Sequence, residues 1–347
     1  DRTATARERH AAQGAGQAVA GEPVVLEIRP FDPAVDGYAA VAGVLTRAQP
    51  LFPVTAEEVE AGDAMRPAHH RRHRMVALDG GALVGAAWIG HSLWAFVPDQ
   101  CMVLVTVAPE HRRRGIGTAL HRAAEACVSD MGSVVLRAKV SDDDPAGLSF
   151  ASRLGYREEM CTRMVRLHLG EMEIDGLRSA WERLEHDGFR FIDLSQWLGE
   201  TGREPGLRAV HALEHAIEAD IPHPEGTPFA GPDFEDWCRV LERSLSFRPE
   251  GYHLAVAPTG ELAGLSFLLV PRLGGTAETG LTGVGRPWRR RGLARALKHR
   301  SIAWAHGAGI AEIRTENAEE NAGMRALNDA LGFVPMPTRV GLRRGPR

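Results

Sequence analysis

Lysine is almost missing from this sequence. Lys139 and Lys298 are the whole complement, so nearly all of the 41 positive side chains are arginine. A bias of that kind follows coding-DNA composition, which discounts arginine runs as functional signals. Cysteine is scarce as well, at Cys101, Cys127, Cys161 and Cys238. None lies in a C-x-x-C pair or has a histidine at zinc-finger spacing, so no metal site is expected. The four read as small buried hydrophobes in a reducing compartment. Also lacking is any apolar run near the roughly 20 residues that span a bilayer. Residues 1–21 have no apolar signal core and read as a flexible tail. The expected location is the cytoplasm, with no membrane partner. The formal net charge of −4 gives no drive towards nucleic acid.

One pattern occurs twice. Val107 is followed by Arg112, Arg113, Arg114, Gly115, Ile116 and Gly117, and Val284 by Arg289, Arg290, Arg291, Gly292, Leu293 and Ala294. Both read V-x-x-x-x-R-R-R-G-[IL]-[GA], and their offset is 292 − 115 = 177 residues, about half of the 347-residue chain. That length favours two domains.

The surrounding order repeats too. In the first half, a strand at 24–29 precedes helices near 35–46 and 55–65. A hairpin (74–78, 83–89) and a strand (102–107) lead into the motif. The next helix carries Ile116, Leu120, Ala124, Cys127 and Met131 on one face and ends at Gly132. A strand (134–140), a helix (145–154) and Gly155-Tyr156 at the head of a last strand complete the half. The second half has a strand at 189–194, helices at 207–219 and 233–245, and strands at 253–257 and 262–270. A strand (279–284), the motif and a helix through Leu297 to Gly309 follow. A strand (310–315), a helix (321–331) and Gly332-Phe333 close it. The expected division is a tail at 1–21, domains at 22–170 and 188–347, and a helical linker at 171–187. The fold class is α/β, two domains each with a mixed central sheet flanked by helices.

A strand, an Arg/Gly turn and a helix N-terminus make an anion-binding corner. Free N–H groups in the first helical turn can cradle a pyrophosphate, glycine permits close approach, and arginine adds charge-assisted bonds. The turn is no Walker loop, lacking G-K-[ST], and no dinucleotide fingerprint, lacking G-x-G-x-x-G.

These residues resemble the GNAT superfamily of acyl-CoA-dependent N-acyltransferases over about residues 22–345. Its signature [RQ]-x-x-G-x-[GA] is matched by Arg112/Gly115/Gly117 and Arg289/Gly292/Ala294. Its later motif N-x-x-A-x-x-x-Y-x-x-x-G-F is matched in part by Asn321 and Gly332-Phe333; the first half has Asp144 and Gly155-Tyr156. The resemblance implies that acetyl-CoA is the cofactor. Its pyrophosphate would lie on the backbone N–H groups at 113–118 and 290–295, which include Thr118 and Arg295. Its pantetheine would lie in a strand splay beside Val105, Val107, Thr282 and Val284, with Asn321 as a further contact. One departure stands out: the family tyrosine that protonates the leaving thiolate is replaced by Ala151 and Asn328.

The reaction this implies is transfer of an acetyl group to a primary amine of a small molecule, by direct attack in a ternary complex. The alternative is a non-catalytic acyl-CoA-binding protein. An aminoacyl transferase using charged tRNA conflicts with the negative charge and the two intact corners. Such an amine is protonated at pH 7 and needs a base. Glu278, before the second motif strand, is the leading candidate, with Asn328 facing the thioester. His91 and Asp99 are further first-half candidates, and His223 could border an acceptor pocket. Asn317 or Asn321 could cap the last helix. The basic cluster Arg71, Arg72, His73 and Arg74 reads as a solvated face, with the cofactor's 3′-phosphate as the alternative. A monomer or homodimer is expected.

Overall fold

Apolar alternation and capping residues set the elements of a computed structural model that describes residues 26–345 apart from 133, 171, 173, 225–228 and 230. The expected tail at 1–21 lies outside the described residues. The first half runs β1 (Leu26–Pro30), α1 (Pro33–Asp36), α2 (Tyr38–Ala48), α3 (Ala56–Ala64), β2 (Arg72–Asp79), β3 (Ala82–Gly90) and β4 (Gln100–Val107). It continues through α4 (Ile116–Ala126), β5 (Val135–Ser141), α5 (Pro145–Arg153) and β6 (Arg157–His168). The second half runs α6 (Ser179–His186), β7 (Arg190–Asp193), α7 (Leu194–Thr201), α8 (Arg203–Glu218), α9 (Phe234–Arg243), β8 (Phe247–Val256), β9 (Leu262–Leu269) and β10 (Thr276–Val284). It ends in α10 (Leu293–Gly307), β11 (Glu312–Ala318), α11 (Ala322–Ala330), β12 (Val334–Pro335) and β13 (Arg339–Arg344).

Local chemistry explains the boundaries. Thr55 and Glu58 form a capping box at α3, and Asp193 and Gln196 form another at α7. Helix α7 is absent from the sequence expectation, although its D-x-x-Q start is a readable signal. Gly37, at φ 69°, separates α1 from α2 where one helix was expected.

Thirteen strands of the described residues form one sheet, in the order β1-β2-β3-β4-β5-β13-β6-β11-β10-β9-β8-β7, with β12 beside β6. Helices cover both faces. Helix α4 packs Ile116, Leu120 and Ala124 on one face of the first half, with Leu136, Tyr156, Val340 and Leu342. Val41 and Val59 pack on the other face. In the second half α10 and α6 share one core, with Leu293, Leu297 and Trp181. Helices α7, α8 and α9 share the opposite one, with Trp197, Val210 and Trp237.

The middle of the sheet exchanges strands between the halves. Strand β13 of the second half lies between β5 and β6 of the first, pairing Arg339 with Ser141. The far part of β6 pairs with β11, setting Thr162 opposite Ala318. An offset of 177 maps Ser141 onto 318 and Thr162 onto 339, so the two exchanges are one relationship repeated. Each half therefore completes its sheet with the other's last strand, as a two-fold dimer does when it swaps an element.

Candidate active site

Both corners are built alike. Beyond Val107 and Val284 comes one 3₁₀ turn, Pro109–His111 or Arg286–Trp288. The chain then passes through Arg113 at φ 64° and Gly115 at 82°, or Arg290 at 62° and Gly292 at 92°. These arginines are the positive-φ non-glycine residues among the described residues. A left-handed non-glycine residue costs on the order of 1 kcal/mol or more, and strain of that kind clusters where ligands are clamped. Helices α4 and α10 begin at those glycines with no side-chain cap. Their first N–H groups are left open at the positive end of the helix dipole, as an anion cradle requires. A Cβ on Gly115 or Gly292 would meet open space, so these glycines answer to φ and to a ligand, not to packing.

The first motif arginines do something the sequence does not tell. Arg112 Nε donates to the Val107 carbonyl at 3.1 Å, and Arg289 Nε to that of Val284 at 3.0 Å. Each pins a strand end to its loop. The corners then diverge. Asp220 accepts Arg286 Nε at 3.0 Å and is also bound by Arg289. Those two guanidinium groups hold its carboxyl well below the usual range. In the first half Gly43 and Pro109 stand at the positions of Asp220 and Arg286 under the 177-residue offset, Ala48 and Gln49 line the corner cavity, and Arg114 pairs with Asp79 at 2.7 Å.

Both expected splays are present. Strands β4 and β5 pair through Gln100, Cys101 and Met102, then part. Strands β10 and β11 pair through Thr276, Ala277 and Glu278, then part. The first splay opens a cavity of about 500 Å³ that includes Val103, Val105, Ala138, Val140, Ala151 and Tyr156. It adjoins a second, of about 380 Å³, at Arg113, Gly115, Ile116, Gly117 and Thr118. Val105, Arg112, Asp144, Gly147 and Phe150 line both, so the corner and the splay form one continuous groove. The second splay holds about 120 Å³, beside Thr282, Lys298, Asn317 and Asn321.

The second half has a feature that the first lacks. Strand β10 bulges against β9 between Thr279 and Leu281, whereas β4 pairs regularly with β3. Glu278 and Met102 close the parallel pairing at matched positions; 284 − 278 = 6 residues remain to the strand end in one case and 107 − 102 = 5 in the other. The bulge absorbs the extra residue and re-aims the strand edge.

The model of the Acetyltransferase (GNAT) family matches residues 44–156 and 210–333, more than half the chain. The chain belongs to the GNAT acetyltransferase family. It is an acetyl-CoA-dependent N-acetyltransferase of the tandem kind, since each match spans one corner and ends at one Gly-aromatic pair. It is similar to the mycothiol acetyltransferase of Salinispora arenicola (strain CNS-205), 28% identical over 81% of this chain and 83% of the relative. That of Clavibacter sepedonicus is 26% identical over 93% and 97%. Among solved structures, a tandem GNAT protein from the clavulanic acid biosynthesis pathway has a TM-score of 0.71 at 21% identity, covering 93% of this chain and 100% of that one. A GCN5-related N-acetyltransferase from Sphaerobacter thermophilus has 0.66 at 19%, covering 92% and 95%. These two share the fold. No helix of the described residues is long and apolar enough to cross a membrane.

The two candidate catalytic residues do not meet in one cavity. Glu278 lies with Glu58 and Arg314 in a cavity of about 220 Å³ at the seam between the halves. Burial raises its carboxyl, opposed by Arg339 and Arg314. Asn328 borders a different cavity with Asn317 and Met336. Its Nδ2 donates to Asn317 Oδ1 at 2.6 Å, and its own Oδ1 is buried without a partner. Asn321 caps α11 through Met324, as Asp144 caps α5 through Gly147. The Thr282 hydroxyl bonds Ser266 at 2.8 Å, and Val284 and Leu293 are core residues.

Other expectations need correction. His91 is no free base: Nδ1 accepts from the Arg71 N–H at 2.9 Å, and Nε2 lies 3.2 Å from the Pro98 carbonyl. Asp99 is exposed, and its carbonyl receives Val135 N–H. His223 is exposed, with Nε2 3.1 Å from the Glu218 carbonyl. The basic cluster is not a solvated face, because Arg72 and Arg74 pair with Asp63 of α3 and Arg72 lies over the Trp88 ring. All four cysteines are free, but Cys101 alone is fully buried; the others are partly so.

Sequence reading missed a matched pair of buried polar groups. His121 Nε2 lies 2.9 Å from the Tyr156 hydroxyl. At the equivalent positions Lys298 Nζ lies 5.0 Å over the Phe333 ring. Burial lowers His121 to about 4 and Lys298 to about 8. The readable signal was a polar residue directly after a core leucine, Leu120 or Leu297, in both copies.

Proposed function

We propose that this enzyme moves the acetyl group of acetyl-CoA to a primary amine of a small molecule by direct attack in a ternary complex, with the cofactor loaded in the first half. The continuous groove from the first corner into the first splay carries this reading. It offers about 380 Å³ at the corner and about 500 Å³ along the strands. The second splay offers about 120 Å³, and Asp220 already occupies the arginines of its corner.

In this scheme the N–H groups at 113–118 hold the pyrophosphate, with Arg113 beside them. The pantetheine runs along Val105 and Val107. Lys139, Arg339 and Asp143 also line the splay part of the groove, and an acceptor would enter beside them. An ammonium there is drawn by Asp143 and loses its proton to a base through water. Strand-edge N–H groups of β4 stabilise the tetrahedral oxyanion. The relatives' name, mycothiol acetyltransferase, supports a small-molecule acceptor.

A second reading places the chemistry in the second half, with Glu278 as the base and Asn328 meeting the sulfur. The β10 bulge next to a half-buried carboxyl favours it. Acetyl-CoA calorimetry and a thiol-release assay over an amine panel, on Gly115→Glu and Gly292→Glu, separate the two. The leading reading requires Gly115→Glu to lose binding and turnover while Gly292→Glu keeps both. The reverse pattern moves the site to the second half. Tight binding by the unaltered enzyme with no turnover on any amine supports a non-catalytic binder.

A further inference from the structure

The first half lacks the family tyrosine and has Ala151 in its place, yet a tyrosine borders the space this opens. Tyr156 lies one turn on, with its backbone N–H donating to the Ala151 carbonyl at 3.1 Å. Both residues line the first splay cavity, with Phe150, Leu154 and His121. The Tyr156 side chain is 6% exposed, and its hydroxyl meets His121 Nε2 at 2.9 Å. In the second half the matching residue is Phe333, so the hydroxyl is specific to the half with the large groove.

We propose that Tyr156, backed by His121, delivers the proton to the leaving thiolate in place of the missing tyrosine. This rests on acetyl transfer occurring in the first half. The buried His121 ring is neutral at working pH. With its proton on Nε2 it donates to Oη, which leaves the phenolic O–H free to point into the cavity. As the tetrahedral intermediate collapses, the C–S bond breaks and its electron pair stays on sulfur. Tyr156 gives its proton to the sulfur and Nε2 gives one to Oη. Nδ1, which has no hydrogen-bond partner, takes one from solvent on the side of the half-exposed Glu125, whose carboxylate is paired with Arg344 and lies 3.7 Å away. The amine's lost proton goes to solvent, so charge and protons balance. His121 and Tyr156 line the same cavity as Val103 and Val105 of β4, the strand edge along which the pantetheine would run.

The bland alternative is that the hydroxyl merely satisfies a core histidine. Tyr156→Phe in the full-length enzyme tests this, assayed with an amine that the unaltered enzyme turns over. The expected result is a fall in kcat of about 100-fold, with KM for acetyl-CoA within twofold and an unchanged melting temperature. Ala151→Tyr added to that variant is expected to restore part of kcat. Unchanged kcat in Tyr156→Phe overturns the proposal while leaving acetyl transfer standing. So does a loss of kcat that comes with lost acetyl-CoA binding and no rescue, since that marks a structural role. Absence of turnover in the unaltered enzyme on any amine overturns the functional reading itself.

Discussion

Lys139 and Glu316 stand 177 positions apart in the chain, and their side chains form an ion pair of 2.5 Å. That offset is the repeat offset, so each is the other's structural equivalent. Equivalent residues touch only where a two-fold axis passes between them. Thr162 and Arg339 obey the same rule, facing each other in the sheet. The two halves thus meet as an isologous dimer does, within one chain. Burial pushes the Glu316 carboxyl up, but Lys139, the Thr162 hydroxyl and Arg339 together outweigh it, and the carboxyl sits below its ordinary 4.5. Its stabilising contribution is therefore present above pH 4.5 and lost as the pH falls below that. Reversing one charge, as in Lys139→Glu or Glu316→Lys, should cost about 1 kcal/mol, a modest figure because both ends are partly solvated. Since the positions are interchangeable, the double reversal should recover most of the loss. Urea midpoints of the four proteins at pH 7 measure this, and a double reversal no better than the worse single one counts against the axis.

Strand exchange makes a stronger statement about the halves. Strand β13 lies between β5 and β6, and Val340 and Leu342 belong to the core under α4. A fragment of residues 1–170 would expose the edge of β5 and lose those side chains, which invites pairing with another chain. Expressed alone it should aggregate or self-associate. Expressed with residues 171–347 it should form a stable complex with near-native ellipticity. Size-exclusion chromatography decides the matter, and a well-folded monomeric fragment would refute it.

The repeat was legible because its signals are local. Gly115 and Gly292 start helices, Gly309 follows the end of α10, and an apolar run precedes each corner; the helix expected to run to Gly132 instead stops at Ala126, and Gly132 closes a separate 3₁₀ turn at Ser129–Met131. The splays were expected only through the family resemblance that the motif carries. Exchange of β6 and β13 was not legible, because Arg157–His168 and Arg339–Arg344 look the same whichever partner they pair with. Register across a chain depends on contacts that no short window contains. The Asp220 clamp was hidden for a similar reason: Asp220 and Arg289 are 69 residues apart. His121 escaped notice because it sits on an otherwise apolar helix face and its partner Tyr156 lies 35 residues on.

Asp220 is expected to decide how many cofactors bind. It ties the end of α8 to Arg286 and Arg289, so the second corner's positive charge is already compensated. Its carboxyl is held well below the usual range by those guanidinium groups, so the clamp persists throughout the ordinary pH range. Removing it by Asp220→Ala frees two arginines beside an uncapped helix start. Calorimetric titration with acetyl-CoA should then rise from one site per chain towards two. A variant that still binds a single equivalent would show that the corner is closed by something else.

Glu214 supplies a pH dependence whose sign can be worked out. It is 5% exposed in the core beneath α8, accepting Trp237 Nε1 at 2.7 Å and the Tyr252 hydroxyl. Burial raises its pKa from 4.5 to about 7, although both hydrogen bonds favour the charged form. Burial and the Glu214 charge raise Glu218, one turn on, to about 7 as well. Below pH 4.5 the carboxyl is protonated in both folded and unfolded chains, and nothing is lost. Between 4.5 and 7 the unfolded chain releases its proton while the folded one keeps it, so stability falls as the pH rises. Above 7 the loss is complete, on the order of 3 kcal/mol for Glu214. Glu214→Gln imitates the protonated carboxyl, accepting from Trp237 and donating to Tyr252. Its stability should change less between pH 5 and pH 8 than that of the unaltered protein, and it should be the more stable of the two at pH 8. Denaturant midpoints at both pH values test this. Parallel slopes for the two proteins would mean that Glu214 is ionised in the fold, with Tyr252 and Trp237 outweighing the burial.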